Sequence, residues 1–472
     1  MDEVKPLHLV VAMGLVLDVS GAMHVYGFAD AKSLTREGSL ATILLIIALL
    51  WLVRRPAPEH LVPERRQLWF SALPLVAGIF AVSDVLSFVD AGWSPLRLAI
   101  FVPSLLILSV LALRRAPATL IAAVAFVLGT AIRFLHIKYV PLEPARGDML
   151  PLVQQAIGNL LAGRSPYTAY SMPWELPLTY LPLTWLAYLP AFVAGIDLRW
   201  TNLVAEAGLL GAALFVCRQQ PPEHRQRTTD STLVLWAWIF LSPTVIHWDM
   251  VTSAPIGWAA LAWPLALIVA GQNRATAVAL GLAAATTPLI AVVTPLIALR
   301  WWRTGGLREL LGRGVMAAAI AALLLAPWFI WAPGPFLDGT VRWFNDLQRF
   351  PGQKWEAEGT WAMITGFSGF FWEWGREGWL KPIQAVAVAA IAGLYLARGT
   401  TRVDLLGYAT AALLIFTLFN PVLWPYLYNP ALIAGWLAFS GAGIAATVPV
   451  MPQVKSPQSS LKRRAVRNAA DV

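Results

Sequence analysis

Residues 133–199 read RFLHIKYVPLEPARGDMLPLVQQAIGNLLAGRSPYTAYSMPWELPLTYLPLTWLAYLPAFVAGIDLR. The end of this stretch decides the topology, because LPLTYLPLTWLAYLP is apolar enough to be taken for a membrane crossing. Pro177, Pro182 and Pro190 interrupt it, and a proline inside a helix removes a backbone donor and collides with the preceding turn. We therefore read 177–196 as a juxtamembrane or re-entrant segment that returns to the face it left. Before it, 150–161 has the apolar spacing of an amphipathic helix, broken by Gly163-Arg164-Ser165-Pro166-Tyr167. Asp148 precedes that helix and follows an apolar span.

Working outward, the chain has 472 residues, of which 58% are hydrophobic and 13% charged. Its mean hydropathy is +0.63. A soluble protein could not bury this much apolar surface, so the class is an all-α polytopic membrane bundle. Apolar runs fall at 7–28, 38–53, 67–89, 95–113, 117–136, 199–217, 230–247, 253–271, 273–286, 287–301, 311–331, 379–397, 403–420 and 427–448, about 14 spans. The first run is too long for the core of a cleaved signal and lacks a small-residue cleavage site.

Loop arginines orient these spans. Arg54, Arg55, Arg65, Arg66, Arg114 and Arg115 share one face with Arg218, Arg225 and Arg227. Arg274, Arg300, Arg303, Arg308, Arg313, Arg398, Arg402 and the terminal KRRAVR join them if both termini are cytoplasmic. That alternation holds only if 177–196 does not cross. The loops 137–176 and 332–378 then lie outside. The net charge of +9 is thereby a matter of membrane orientation and gives no ground for nucleic-acid binding. The single cysteine, Cys217, excludes an internal disulfide. Arginine outnumbers lysine and alanine is abundant, a bias of high-GC bacterial genomes, which places the chain in a bacterial plasma membrane.

Asp18, Asp84 and Glu206 lie within apolar runs and must face the bundle interior or a polar cavity. His247-Trp248-Asp249 ends another run, where a His beside an Asp could assist proton transfer or bind sugar hydroxyls. In the outer loop 332–378, Trp343, Trp355 and Trp361 alternate with polar and charged residues. Aromatic faces stack on sugar C–H surfaces, so this composition suits a carbohydrate cleft, although tryptophan also populates the membrane interface.

The order Gly147-Asp148-Met149, Gln155-Ala156, Leu160-Leu161-Ala162-Gly163-Arg164-Ser165-Pro166-Tyr167 and Tyr180-Leu181-Pro182-Leu183 resembles the first outer loop of the GT-C superfamily of membrane glycosyltransferases. It is most similar to the glycosyltransferase family 87 mannosyltransferases. Ser242-Pro243, His247-Trp248-Asp249-Met250 and Asn420-Pro421 with Trp424-Pro425-Tyr426-Leu427-Tyr428 extend the likeness over roughly 120–450. The resemblance implies a transmembrane catalytic core at 117–450, extra helices at 1–116 and a cytoplasmic basic tail at 451–472.

It further implies sugar transfer from a polyprenyl-phosphate donor to a lipid or glycan acceptor, with the sugar mannose, or nearly as well a pentose such as arabinofuranose. Asp148 takes the place of the catalytic acid. Inverting transfer needs one carboxylate to accept the acceptor's proton and cations to meet charge growing on the leaving phosphate. Arg146, Arg164, Arg342, Arg349 and Lys354 are available as those cations. Tyr167, Glu175, His247, Asp249, Trp361 and Tyr426 are further candidates for substrate contact. Many family members carry a lysine where this chain reads Ala285-Thr286-Thr287-Pro288. No metal or other cofactor is expected, since Asp148 has no acidic partner between Glu143 and Glu175. Two other functions fit the same bulk features: a transporter or lipid flippase without bond chemistry, and a glycan-binding scaffold.

Overall fold

The computed structural model describes residues 116–343 and 374–441, apart from 145–146, 173–174, 242 and 421–424. Scattered positions at 43–54, 99–114 and 366–371 are described as well. The expected spans at 7–28 and 67–89, with Asp18 and Asp84, lie outside the described residues, as does the tail.

Helices dominate. In chain order they are α1 (Ala118–Tyr139), α2 (Met149–Leu161), α3 (Pro182–Leu186), α4 (Leu189–Val193) and α5 (Arg199–Arg218). Then come α6 (Pro222–Leu241), α7 (Pro243–Val251), α8 (Ala254–Val269), α9 (Asn273–Ala284) and α10 (Ile290–Trp331). The remainder are α11 (Pro333–Leu337), α12 (Leu380–Arg398), α13 (Arg402–Leu418) and α14 (Asn429–Ser440). Between α2 and α3, β1 (Ala169–Ser171) and β2 (Glu175–Pro177) pair antiparallel, with Tyr170 opposite Leu176. The all-α expectation omits this hairpin.

Among the described residues, four helices are long and apolar enough to cross a membrane: Ala118–Tyr139, Arg199–Arg218, Ile290–Trp331 and Glu377–Arg398. The protein is thus a helical bundle of membrane type. Other apolar helices are shorter; α9 has 12 residues, about 18 Å of rise. The run expected as one span at 230–247 is instead α6 followed by α7. Pro243 cannot donate into a continuing helix and restricts the residue before it. Helix α10 has 42 residues but is broken at Gly306, whose φ of 66° places it in the left-handed region open to glycine. Its two limbs match the expected spans 287–301 and 311–331.

The segment 177–196 makes no crossing helix. It holds the end of β2 and two five-residue helices. These pack with α2, Tyr167, Tyr170, Leu198, Phe336 and Trp343 into a core of their own, separate from the large core of the bundle.

Hydrogen bonds and close contacts sort the loops into two ends. At one, Gln220 donates to the Ser440 carbonyl at 2.6 Å, and Gly441 lies against Val216 and Val403. Arg402 packs on Gly271, while Arg303 donates to the carbonyls of Tyr395, Leu396 and Gly399, closing the C-terminus of α12. Arg303 and Arg402 thus lie at this end. At the other end lie the second core, the 285–287 turn and the start of α7's successor, α8.

Candidate active site

Helix α2 anchors that second end. Its apolar stripe, Leu150, Leu152, Val153, Ala156 and Ile157, is buried. It terminates in a Schellman motif: Gly163 N–H donates to Leu160 at 3.0 Å and Arg164 N–H to Asn159 at 2.8 Å. Gly163, with φ of 71°, occupies the left-handed position that this motif requires. The break expected at 163–167 is therefore a helix cap that turns the chain into β1.

Tyr167 lies 1% exposed in the second core. Its hydroxyl donates to the Tyr180 carbonyl at 2.9 Å and accepts from Trp185 Nε1 at 3.3 Å. Its ring meets Phe336 edge-on at 4.8 Å. Tyr167, expected as a sugar contact, thus sits inside this core, with its ring against Trp185, Trp328 and Phe336 and its hydroxyl hydrogen-bonded. Trp343 is also buried there. Tyr170 donates to the Pro166 carbonyl at 2.6 Å, and burial pushes its hydroxyl up to about 12, against the lowering effect of the Asn159 hydrogen bond. Burial likewise raises the Tyr167 hydroxyl.

Asp148 sits half-buried at the N-cap position of α2. Its φ of −77° and ψ of −20° are helical, and its side chain makes no capping hydrogen bond. A side-chain cap ordinarily has extended backbone angles and accepts from the second or third N–H of the helix. The neighbouring Gly147 lies against Val251: a Cβ there would come within 2.8 Å of the Val251 Cβ and 3.0 Å of its carbonyl oxygen. Asp148 thus follows directly on a residue packed against the C-terminal end of α7.

Arg164, Glu175 and Arg342 are exposed on the surface of this end. Arg342 closes a π-helix, Asp338–Arg342, in which Gly339 packs on the Leu178 backbone just past β2. That contact brings the elements of Glu175 and Arg342 together. Arg146, Arg349, Lys354 and Trp361 lie outside the described residues, as do the side chains of His247 on α7 and Tyr426 in the short helix Pro425–Tyr428. The Ala285-Thr286-Thr287 turn is buried and tied to α3, with Leu183 N–H donating to Ala285 at 2.9 Å and the Thr184 hydroxyl donating to the Thr286 carbonyl.

Asp249 is not on the surface. It is 0% exposed, and its Oδ2 accepts from Arg133 Nε at 3.0 Å and Nη2 at 2.5 Å. Glu206 Oε1 accepts from the same Nη2 at 3.0 Å. Asp249, expected as a substrate contact, is thus held by an arginine inside an apolar span. Asn202 donates to the carbonyls of Asp249 and Thr252 at 2.5 and 2.8 Å and accepts from the Tyr188 hydroxyl at 2.5 Å. Arg133, Asn202 and Tyr188 were not among the candidates. Arg133 carried the only sequence signal, a cation deep in an apolar run that must find a carboxylate.

Beside this cluster, Ala122, Ala123, Phe126, Leu203, Ala207, Leu210, Trp236 and Phe240 line an apolar hollow of about 250 Å³ between α1, α5 and α6. No family model, curated protein or solved structure matches the chain.

Proposed function

We propose that the chain is a GT-C-type membrane glycosyltransferase of about 14 spans. It transfers a sugar, mannose in our reading, from a polyprenyl-phosphate donor to a lipid or glycan acceptor on the extracytoplasmic face, with Asp148 as general base. The observation that carries this reading is the seat of Asp148. It lies half-buried at the start of α2, next to Gly147, which packs on Val251 at the end of α7, at the end of the bundle away from Arg303 and Arg402, without serving as a side-chain cap. A base so placed can take the acceptor hydroxyl's proton as the glycosidic bond forms, while the donor phosphate departs toward the exposed Arg164 and Arg342. The apolar hollow between α1, α5 and α6 has the chemistry to take part of an isoprenoid chain.

Asp148→Asn tests the assignment, with purified protein and a radiolabelled polyprenyl-phosphate sugar. The amide keeps the shape of the carboxylate and cannot accept the proton. Transfer should fall on the order of 10²–10⁴-fold, with expression, folding and donor binding nearly unchanged. A well-folded Asp148→Asn variant that still transfers sugar at a normal rate would remove the general-base role. The buried Arg133–Glu206–Asp249 cluster favours a second reading, a transporter or flippase. Under that reading substrate moves with no bond made, and Asp148→Asn leaves movement intact.

A further inference from the structure

We infer that Glu206 and Asp249 hold one exchangeable proton between them inside the bundle, resident on Glu206. The inference begins with a count of donors. A guanidinium has five N–H groups, and every one of Arg133's is used. Nε meets Asp249 Oδ2 at 3.0 Å, and Nη2 meets Asp249 Oδ2 at 2.5 Å and Glu206 Oε1 at 3.0 Å. Nη1 meets the carbonyls of Phe240 at 2.9 Å and Gly129 at 3.3 Å. Arg133 has nothing left to give the second oxygen of either carboxylate. Those oxygens, Glu206 Oε2 and Asp249 Oδ1, are buried without a hydrogen-bond partner, on side chains whose residues are 5% and 0% exposed.

The charge does not close either. One guanidinium faces two carboxylates, and an uncompensated negative charge in an apolar interior is strongly unfavourable. Among the other ionisable groups of the packed elements are His136, one turn beyond Arg133 on α1, His247 on α7, whose side chain lies outside the described residues, and Tyr188 before α4. The Tyr188 hydroxyl is given to Asn202. Helices α8 and α14, which also pack on α5, contain no acidic or basic residue. Helix α6 confines its ionisable residues to its first half, between Glu223 and Asp230, at the arginine-rich end.

A single proton resolves both problems. Because the two carboxylates accept from one nitrogen, they are neighbours. A hydroxyl on one can donate to the other, satisfying two orphaned oxygens at once and bringing the cluster to neutrality. Asp249 accepts two bonds from Arg133 and Glu206 accepts one, so Asp249 keeps the negative charge and Glu206 takes the proton. The proton then joins α5 to α7, the helix against which Gly147 is packed. The inference does not depend on the glycosyltransferase reading.

Infrared spectroscopy of the purified full chain in lipid nanodiscs at neutral pH tests it, together with thermal unfolding. The wild type should show the carbonyl band of a buried, protonated carboxylic acid, shifting in heavy water. Glu206→Gln should lose that band and unfold within a degree or two of the wild type, since its amide mimics the protonated acid and donates to Asp249. Asp249→Asn should unfold several degrees lower, because it takes away the charge that Arg133 needs. Persistence of the band in Glu206→Gln would overturn the assignment. So would a loss of stability in Glu206→Gln equal to that in Asp249→Asn. Stabilisation of the wild type by sodium or potassium in preference to a bulky organic cation would place a metal ion, and not a proton, between the carboxylates.

Discussion

Arg133 shows how one residue can govern three helices. Its side chain is 1% exposed and its partners lie on α5 and α7, so removing it strands two carboxylates in a space built for a cation. We expect Arg133→Gln to cost about 3–5 kcal/mol, the range for breaking a buried pair by deleting one member. Thermal unfolding of the purified protein would measure it. Arg133→Lys should recover only part of the loss, since an ammonium has three donors where five hydrogen bonds to four acceptor atoms are made. At the surface end, Tyr170 gives a pH signature of opposite origin. Its folded hydroxyl ionises near 12 against about 10 in an unfolded chain. Its contribution is therefore complete below about pH 10 and is lost as pH rises through about 12. Tyr170→Phe should abolish that alkaline step in the unfolding of the β1–β2 hairpin, followed by phenolate absorbance.

At the scale of elements, α9 and the second limb of α10 pack backbone to side chain across Gly281. A Cβ at Gly281 would stand 2.7 Å from the Ala317 carbonyl oxygen and from the Ile320 Cβ, well inside van der Waals contact. Gly281→Val should thus destabilise the helix pair by about 1–3 kcal/mol, read as a lower midpoint in thermal unfolding, whereas glycine permits the close approach that membrane helices favour. Such elements differ in how far the sequence discloses them. Helix α2 was legible to within a residue, because its stripe has the helical period and glycine follows its end. The segment 177–196 was legible as broken into short pieces from its prolines. The break between α6 and α7 was written in Pro243 but hidden by hydropathy, which runs on through it. Least legible was the role of Asp249. It stands 116 positions from Arg133 in the chain, and no local pattern says that the two meet. Asp148 opens α2, so its position was readable, and the packing of the preceding Gly147 on Val251 was not.

The whole molecule has two chemically unlike ends, and that difference makes its orientation testable. One end collects Arg303, Arg402 and the loops around Gln220 and Ser440, and its arginines close helix C-termini as well as carrying charge. The other holds the β1–β2 hairpin, the second core and Asp148. Arginine is retained on the cytoplasmic side during insertion, so the hairpin should face outward. The chain suits cysteine labelling because Cys217, its single cysteine, is buried and hydrogen-bonded to Thr232 at 3.3 Å. It should stay silent toward a membrane-impermeant maleimide. Ser171→Cys, on the exposed edge of β1, should react in intact cells. Arg308→Cys, exposed just past the Gly306 break, should react only after the membrane is opened. Labelling in the reverse order would put Asp148 on the cytoplasmic side, away from any sugar carried on an outward-facing polyprenyl phosphate. The general-base reading would then fail even if Asp148→Asn proved inactive, because the base and its donor would be separated by the bilayer.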